Sequence, residues 1–236
     1  MNFSIFQRLT FSLGCAVALN MPIVSTAALF QPAYAADQST LSEFPGRRVG
    51  GGSRGECMSN ATLVALSPQN HLIETTEATP TLYFAMPSFD APLQLEFVLK
   101  NRDGDIIADK LFEAESHGGV TGLDLTDQIE PLKVGENYEW YLSILCNANN
   151  RAQDIVVHGW MRRVPSETVE IVETSAQVSE QVELYQSQGL WHDAIDLLIQ
   201  VQGEHTSSFN VDALWSDLLT AEGLQHLVNE EIQPNL

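Results

Sequence analysis

PLKVGENYEWYLSILC, Pro131 to Cys146, is the stretch on which the fold turns. From Tyr138 onward the chain alternates. Tyr138, Trp140, Leu142, Ile144 and Cys146 fall on one side of an extended backbone, and Glu139, Tyr141, Ser143 and Leu145 on the other. Period two over nine residues is the pattern of a strand with one dry face. Just upstream, Pro131 and Gly135 supply turn chemistry, so the strand is entered through a corner.

The same period extends outward in both directions. In LQLEFVLK, Leu93, Leu95, Phe97 and Leu99 alternate with Gln94, Glu96, Val98 and Lys100. Asp103-Gly104 then marks a tight hairpin into IIADKLFE. Thr62–Leu66, Thr81–Met86, Val120–Leu125, Tyr138–Cys146 and Ile155–Val164 complete seven predicted short strands, the signature of an antiparallel β-sandwich. Leu132, Gly135 and Tyr138 form a Leu-x-x-Gly-x-x-Tyr run that resembles the tyrosine corner of immunoglobulin and fibronectin type III sandwiches. There the phenol hydroxyl bonds back to the corner's backbone.

Beyond Pro165 the period changes. Ser166 is placed to cap a helix, and Ile171, Ser175, Val178, Val182 and Tyr185 recur every three or four residues. Gly189, Gly203 and Gly223 each follow a periodic run as helix stops, and WHDAIDLLIQVQ, VDALWSDLLTAE and LQHLVNEEI supply three further helices, four in all. In YQSQGLWHDAIDLL, the residues Tyr185, Gly189, Trp191, Ala194 and Leu198 have the spacing of a tetratricopeptide hairpin. No second copy follows, and a stack needs about three repeats to bury its core, so one helix pair docked on the sandwich is expected. The predicted fold is mainly β with α: an immunoglobulin-like antiparallel sandwich, then a small helical subdomain.

The start of the chain is an address. Arg8 is the only charged residue before Asp37, and FSLGCAVAL, a mixed apolar run and QPAYAA follow it. A positive start, a short apolar core and the small residues Ala33 and Ala35 predict a secretory signal cleaved after Ala35. An uncleaved anchor is disfavoured because Asn20 and Pro22 interrupt the apolar run. Lipidation at Cys15 is disfavoured by Ser12 and a short preceding stretch. The predicted organisation is a signal peptide at 1–35, an Arg/Gly-rich segment at 36–60, a β-sandwich at 61–164 and an acidic helical subdomain at 165–236. In the mature chain only Cys57 and Cys146 remain, and in an oxidising compartment such a pair is expected as a disulfide, with two buried thiols as the alternative.

Charge excludes whole classes of partner. The chain carries 11 Lys and Arg against 31 Asp and Glu, a net charge of −20, which repels nucleic acid and anionic membrane. Residues 165–236 hold no Lys or Arg against 13 Asp and Glu, either solvated helix faces or a surface steering a basic partner. Arg47, Arg48 and Arg54 sit among Gly50, Gly51 and Gly52, leaving three readings open: an anion cradle, internal docking on the acidic tail, or a flexible N-terminus. The segment is neither a Walker loop nor a dinucleotide fingerprint. Trp160 and Arg162 share a strand parity, suiting a recognition face or a stack closing the sandwich end. NRDGD lacks the register of a calcium loop. Histidine and cysteine spacings suggest no metal site, and no G-x-S-x-G elbow occurs. His192-Asp193 reads as surface polarity at the helical corner rather than a catalytic dyad.

Several blocks resemble one family in order: GRRVGGGSRGEC, PTLYFAMP, EFVLKNRDG, NYEWYLSILCNANNRAQDIVVHGWMRRV and YQSQGLWHDAIDLL. They are similar to the mostly cyanobacterial family called domain of unknown function 928, over residues 45–231. The resemblance implies an exported protein whose relatives occur with tetratricopeptide and caspase-like domain proteins. It implies no activity and no cofactor. It points to two blocks of unknown role: Arg47, Arg48, Gly50, Gly51, Gly52 and Arg54, and the corner Gly189, Trp191, Asp193 and Ala194. Cys57 and Cys146 match family positions, which supports their pairing. The expectation is a non-catalytic interaction or assembly module of the cell envelope, periplasmic or extracellular, with a protein partner, no nucleic acid and no stable membrane span. The alternatives are a ligand- or glycan-binding sandwich using Trp160, Tyr83 and the arginines, and, behind it, an envelope hydrolase.

Overall fold

The computed structural model describes residues 43–51, 62–115, 117–147, 149–165, 175–203 and 211–236. The expected signal peptide, Gly52, Arg54, Cys57 and the cap at Ser166 lie outside the described residues. Nine strands occur among the described residues: β1 Val49–Gly51, β2 Thr62–Ala65, β3 Leu72–Thr75, β4 Thr81–Ser88, β5 Leu93–Asn101, β6 Ile106–Ala114, β7 His117–Asp124, β8 Asn137–Leu145 and β9 Ile155–Arg163. Three α-helices follow: α1 Ser175–Ser187, α2 Trp191–Gly203 and α3 Asp212–Ala221.

The strands form two sheets, in the orders β1-β2-β4-β7 and β3-β9-β8-β5-β6. All seven predicted strands are present within a residue or two at most ends, and β8 pairs with β5 and β9 on its two sides. The expectation of purely antiparallel pairing is corrected at one edge. β3 runs parallel to β9, with Glu74 opposite Arg162. This four-residue strand gave no periodic signal, and its entry bends through His71 at φ 64 and an Asn70 side chain that accepts the Leu72 N–H at 3.0 Å. β1 was hidden by its glycines. At Gly50 a Cβ would lie 2.8 Å from the Val156 carbonyl oxygen, so the residue's smallness serves backbone approach.

Two cores result. Between the sheets, Leu82, Phe84, Leu95, Phe97, Trp140 and Ile144 share one apolar cluster. The tyrosine-corner expectation holds locally: Tyr138 is 4% exposed, and its hydroxyl accepts the Lys133 N–H at 3.2 Å and donates to Glu136 at 3.1 Å. On the outer face of the four-stranded sheet, Val64, Leu66, Tyr83, Ala85 and Val120 form a second cluster with all three helices. β2 and β4 are therefore buried on both faces, which is why TLVAL and TLYFAM read as continuous apolar runs rather than alternating ones.

The predicted fourth helix is corrected. After α3 there is a single 3₁₀ turn, Gln225–Leu227, and the chain then extends. The extended segment lies along the β7 edge, where Ile232 makes a parallel bridge with Val120. The Val120 N–H donates to Glu231 O at 2.8 Å, the Gln233 N–H to Val120 O at 2.7 Å, and the Leu236 N–H to Gly122 O at 2.8 Å. The edge thereby gains backbone partners instead of presenting a row of free groups. A Cβ at Gly119 would sit 2.2 Å from Glu231 O, and one at Gly122 would sit 2.4 Å from Asn235 Oδ1. Glycine in β7 makes the seat for the C-terminal segment.

Gly119→Ala is expected to unseat that segment. Hydrogen exchange should show the Val120 amide losing its protection, as it should also in a chain ending at Val228. Full protection of that amide in Gly119→Ala would remove the proposed role of the glycine.

Candidate functional site

The residues singled out in the sequence fall in three places, and the richest chemistry gathers where α2 meets the sheets. α1 ends at Gly189 (φ 77), with the Leu190 N–H bonded to Tyr185 O at 2.8 Å and the Gly189 N–H to Gln186 O at 3.1 Å. These two bonds are the Schellman pattern, and Gly223 (φ 70) ends α3 with the same pair. The turn delivers Trp191, 6% exposed, whose indole N–H donates to Leu218 O at 2.9 Å, and fully buried Ala194 under α1 and α3.

His192 and Asp193 correct the surface reading, since they are 2% and 6% exposed. Both face the ends of strands. His192 Nε2 lies 2.8 Å from Thr81 O; a carbonyl only accepts, so this nitrogen carries the proton. Asp193 Oδ2 accepts two bonds at 2.9 Å, from the Thr76 N–H and from Thr76 Oγ1. One turn on, Asp196 accepts from the Tyr83 hydroxyl and, at 2.6 Å, from Gln200 Nε2. Positions 192, 193, 196 and 200 thus make a polar stripe on α2, while Ile195, Leu198 and Ile199 are buried in the apolar layer.

The electrostatics of this junction are strongly acidic. Burial first, and then the charges of Asp193 and Asp124, push the Asp196 carboxyl up, against the opposing effect of the Tyr83 bond and His192. Burial also raises Glu77, and Asp193 and Asp196 add to the shift. The Tyr83 phenol is pushed far up by burial and by Asp196. Asp193 Oδ1 and His192 Nδ1 are buried with no hydrogen-bond partner. Asp196, Thr76 and Glu77 were missed in the sequence; the i, i+3 pair of carboxylates at the start of an apolar helix was the available signal.

The other two groups of residues are structurally engaged. Arg48 Nη1 donates to Ser67 O at 3.0 Å and to Glu222 O at 2.8 Å, so the Arg/Gly segment docks on the end of α3. Burial lowers the Arg48 pKa, and Glu222 offsets part of that. Arg47 bridges β9 by backbone bonds with His158 at 2.9 and 3.0 Å. On the outer face of the five-stranded sheet, Trp160 Nε1 donates to Pro45 O at 3.0 Å, and Phe44 meets the indole edge-on at 5.8 Å. Arg162 holds Glu74 Oε1 through Nε at 3.1 Å and Nη2 at 2.7 Å. Beside them, Lys100 lies 4.6 Å over the Tyr141 ring, which stacks on His158 at 5.1 Å. Tyr83 is 4% exposed and turned into the helix interface, so it offers no face to a glycan. Cys146 lies just past the end of β8 rather than within it, half-buried against the inner core.

Two outcomes follow from this geometry. Arg48→Met is expected to destabilise the chain by about 1–3 kcal/mol, because it strands two half-buried carbonyls; urea unfolding would measure it. Asp196 has a raised folded pKa, so the native state holds its proton more tightly than the unfolded chain. That contribution is present below the ordinary carboxylate pKa and is lost as pH rises through the folded value. Relative to Asp196→Asn, the natural protein should therefore gain stability on acidification across that window. Parallel pH profiles of the two proteins would contradict it.

The chain belongs to the family described as Domain of Unknown Function (DUF928), whose match covers residues 49–232. No curated protein matches the sequence.

Proposed function

We propose that this protein is an exported interaction module that presents its acidic helical layer to a basic protein partner of the cell envelope, and that it acts by binding rather than catalysis. One observation carries it: charge is segregated. Glu180, Glu183, Asp212, Asp217, Glu230 and Glu231 are exposed, in a segment that contains no Lys or Arg. The basic residues suited to an anion site, Arg48 and Arg162, are bonded within the chain. Such a one-signed surface accelerates encounter with a basic partner and weakens it with salt.

The immunoglobulin-like and tetratricopeptide-like descriptions belong to the same proposal. Support for the first comes from two sheets over one core and the bonded Tyr138 corner. Support for the second comes from the Gly189 turn, with Trp191 and Ala194 beneath it. Export is supported by the leader pattern and by the two cysteines of the mature chain, for which a Cys57–Cys146 disulfide belongs to the same proposal.

Capture from native envelope extract tests the binding proposal, comparing the natural chain with a Glu180→Gln, Glu183→Gln, Asp212→Asn, Asp217→Asn variant. A near-stoichiometric basic protein should be retained by the first, lost by the second, and released by salt. The same set of proteins on both would contradict the acidic-layer reading. Reducing agent should lower the Tm by several degrees, the effect of a cross-link worth about 2–4 kcal/mol. An unchanged Tm, with no linked Cys57–Cys146 peptide in a non-reducing map, would end the export argument from cysteine.

A further inference from the structure

The two sheets end differently on the side of the sandwich where β6 gives way to β7. β7 is covered, because the C-terminal segment bonds along it. β6 closes the five-stranded sheet, and among the described residues no strand pairs with its second side. At its Ala114 end a cavity of about 300 Å³ lies between Glu113, Ala114 and Glu115 and the C-terminal residues Gln233, Pro234 and Asn235, so that segment does not close over β6. A strand in this position presents alternate N–H and C=O groups outward, the template on which another extended chain adds.

The side chains of β6 suit such an addition. Ala108, Lys110, Phe112 and Ala114 have the core-facing parity, while Ile107, Asp109, Leu111 and Glu113 alternate with them and are all exposed. Of the six exposed large hydrophobics among the described residues, three stand on this strand: Ile106 at 58%, Ile107 at 47% and Leu111 at 57%. Apolar exposure is thus concentrated on one edge rather than scattered. A second copy of this chain is a poor occupant. Two copies related by a two-fold axis normal to the sheet, overlapping along the whole strand, set Lys110 against its own image. Centring the pair on Asp109 sets that carboxylate against itself, and centring it on Leu111 sets Asp109 against Glu113. Like charges directly opposite are destabilising, and the net charge of −20 adds to the repulsion. The same outer row complements a strand with basic residues opposite the two carboxylates and apolar ones opposite Ile107 and Leu111.

We infer that β6 is a docking edge for an extended segment of another protein, which adds antiparallel to the sheet with arginine or lysine opposite Asp109 and Glu113 and aliphatic side chains opposite Ile107 and Leu111. Backbone bonds supply the pairing, and the outer row selects the partner. Antiparallel addition is the slightly more stable arrangement per residue, and it continues the pairing of β5 with β6. The edge belongs to the five-stranded sheet, whereas the acidic helical layer covers the four-stranded one, so either surface can fail without the other.

The test is calorimetric titration of the whole chain with a nine-residue peptide matched to β6: arginine opposite Asp109 and Glu113, valine opposite Ile107 and Leu111, and threonine elsewhere. One peptide should bind per chain. Two further peptides carry N-methyl groups on alternate residues, one set each. A strand bonds to a neighbouring edge through every second residue, so one set should abolish binding and the other leave it intact. Leu111→Lys should weaken binding by about tenfold or more, and Glu113→Gln by a smaller factor. Both side chains are exposed, so neither substitution disturbs the core. Equal binding of the two N-methylated peptides would overturn strand addition. Binding unchanged by Leu111→Lys and Glu113→Gln, but lost in the four-carboxylate helix variant, would overturn the edge and assign the peptide to the acidic layer. A dimer of the natural chain in sedimentation that Leu111→Lys dissolves would overturn the foreign partner and make a second copy the occupant. No binding to the natural chain would overturn the docking edge, while partner capture would still decide the acidic-layer proposal.

Discussion

The outer face of the four-stranded sheet is apolar, and the rest of the molecule is arranged around keeping it dry. Val64, Leu66, Tyr83, Ala85 and Val120 point away from the inter-sheet core and would meet water if the helices were absent. Burying such side chains contributes about 1.5–3 kcal/mol each, enough to hold three helices with no cation of their own against the sheet. α2 contributes Ala194, Ile195, Leu198 and Ile199 to this cover. Covering the sheet also carries a polar stripe of the same helix out of water. His192, Asp193 and Asp196 must then find donors or acceptors on strand ends, and Thr81, Thr76 and Tyr83 provide them.

Both ends of the described chain reinforce that layer. At the N-terminal side, Arg48 reaches from beside β1 to the carbonyl that closes α3, and the Gln69 N–H donates to the Glu222 carboxylate at 2.8 Å. The C-terminal segment returns to β7 and occupies the edge that the sheet would otherwise expose. These are long-range contacts between residues far apart in sequence, so they act on the folded arrangement as a whole rather than on local elements.

How much of this the sequence disclosed depends on where burial is one-sided. β5 and β8 have one dry face, and their alternation showed it within a residue or two. The glycine stops at 189 and 223 were legible because a left-handed turn nearly demands glycine. β1, β3 and the C-terminal segment were not legible. Each is short, and each is extended because of what lies beside it: the β2 backbone for the first, the β9 backbone for the second and the β7 edge with its glycines for the last. His192 and Asp193 misled for a related reason: polar residues at a helix start look solvated until a strand end is known to face them. The arginines were read with three open meanings, and contacts distant in sequence, Ser67 and Glu222, set Arg48 on internal docking.

Functionally, the molecule separates its charges. Arg48, Arg151, Arg162 and Arg163 serve as internal ties, while carboxylates of the helical layer remain outside or sit under-satisfied at its junction with the sheets. That arrangement depends on the layer and the sheet behaving as one cooperative body. Native-state hydrogen exchange across a denaturant series measures this directly. The α2 amides of Leu198 and Ile199 and the β4 amides of Phe84 and Ala85 should open with the same free energy and the same denaturant dependence. If α2 opens at lower cost while β4 stays protected, the helices are an appendage, and the account of the apolar face as the organising constraint is wrong.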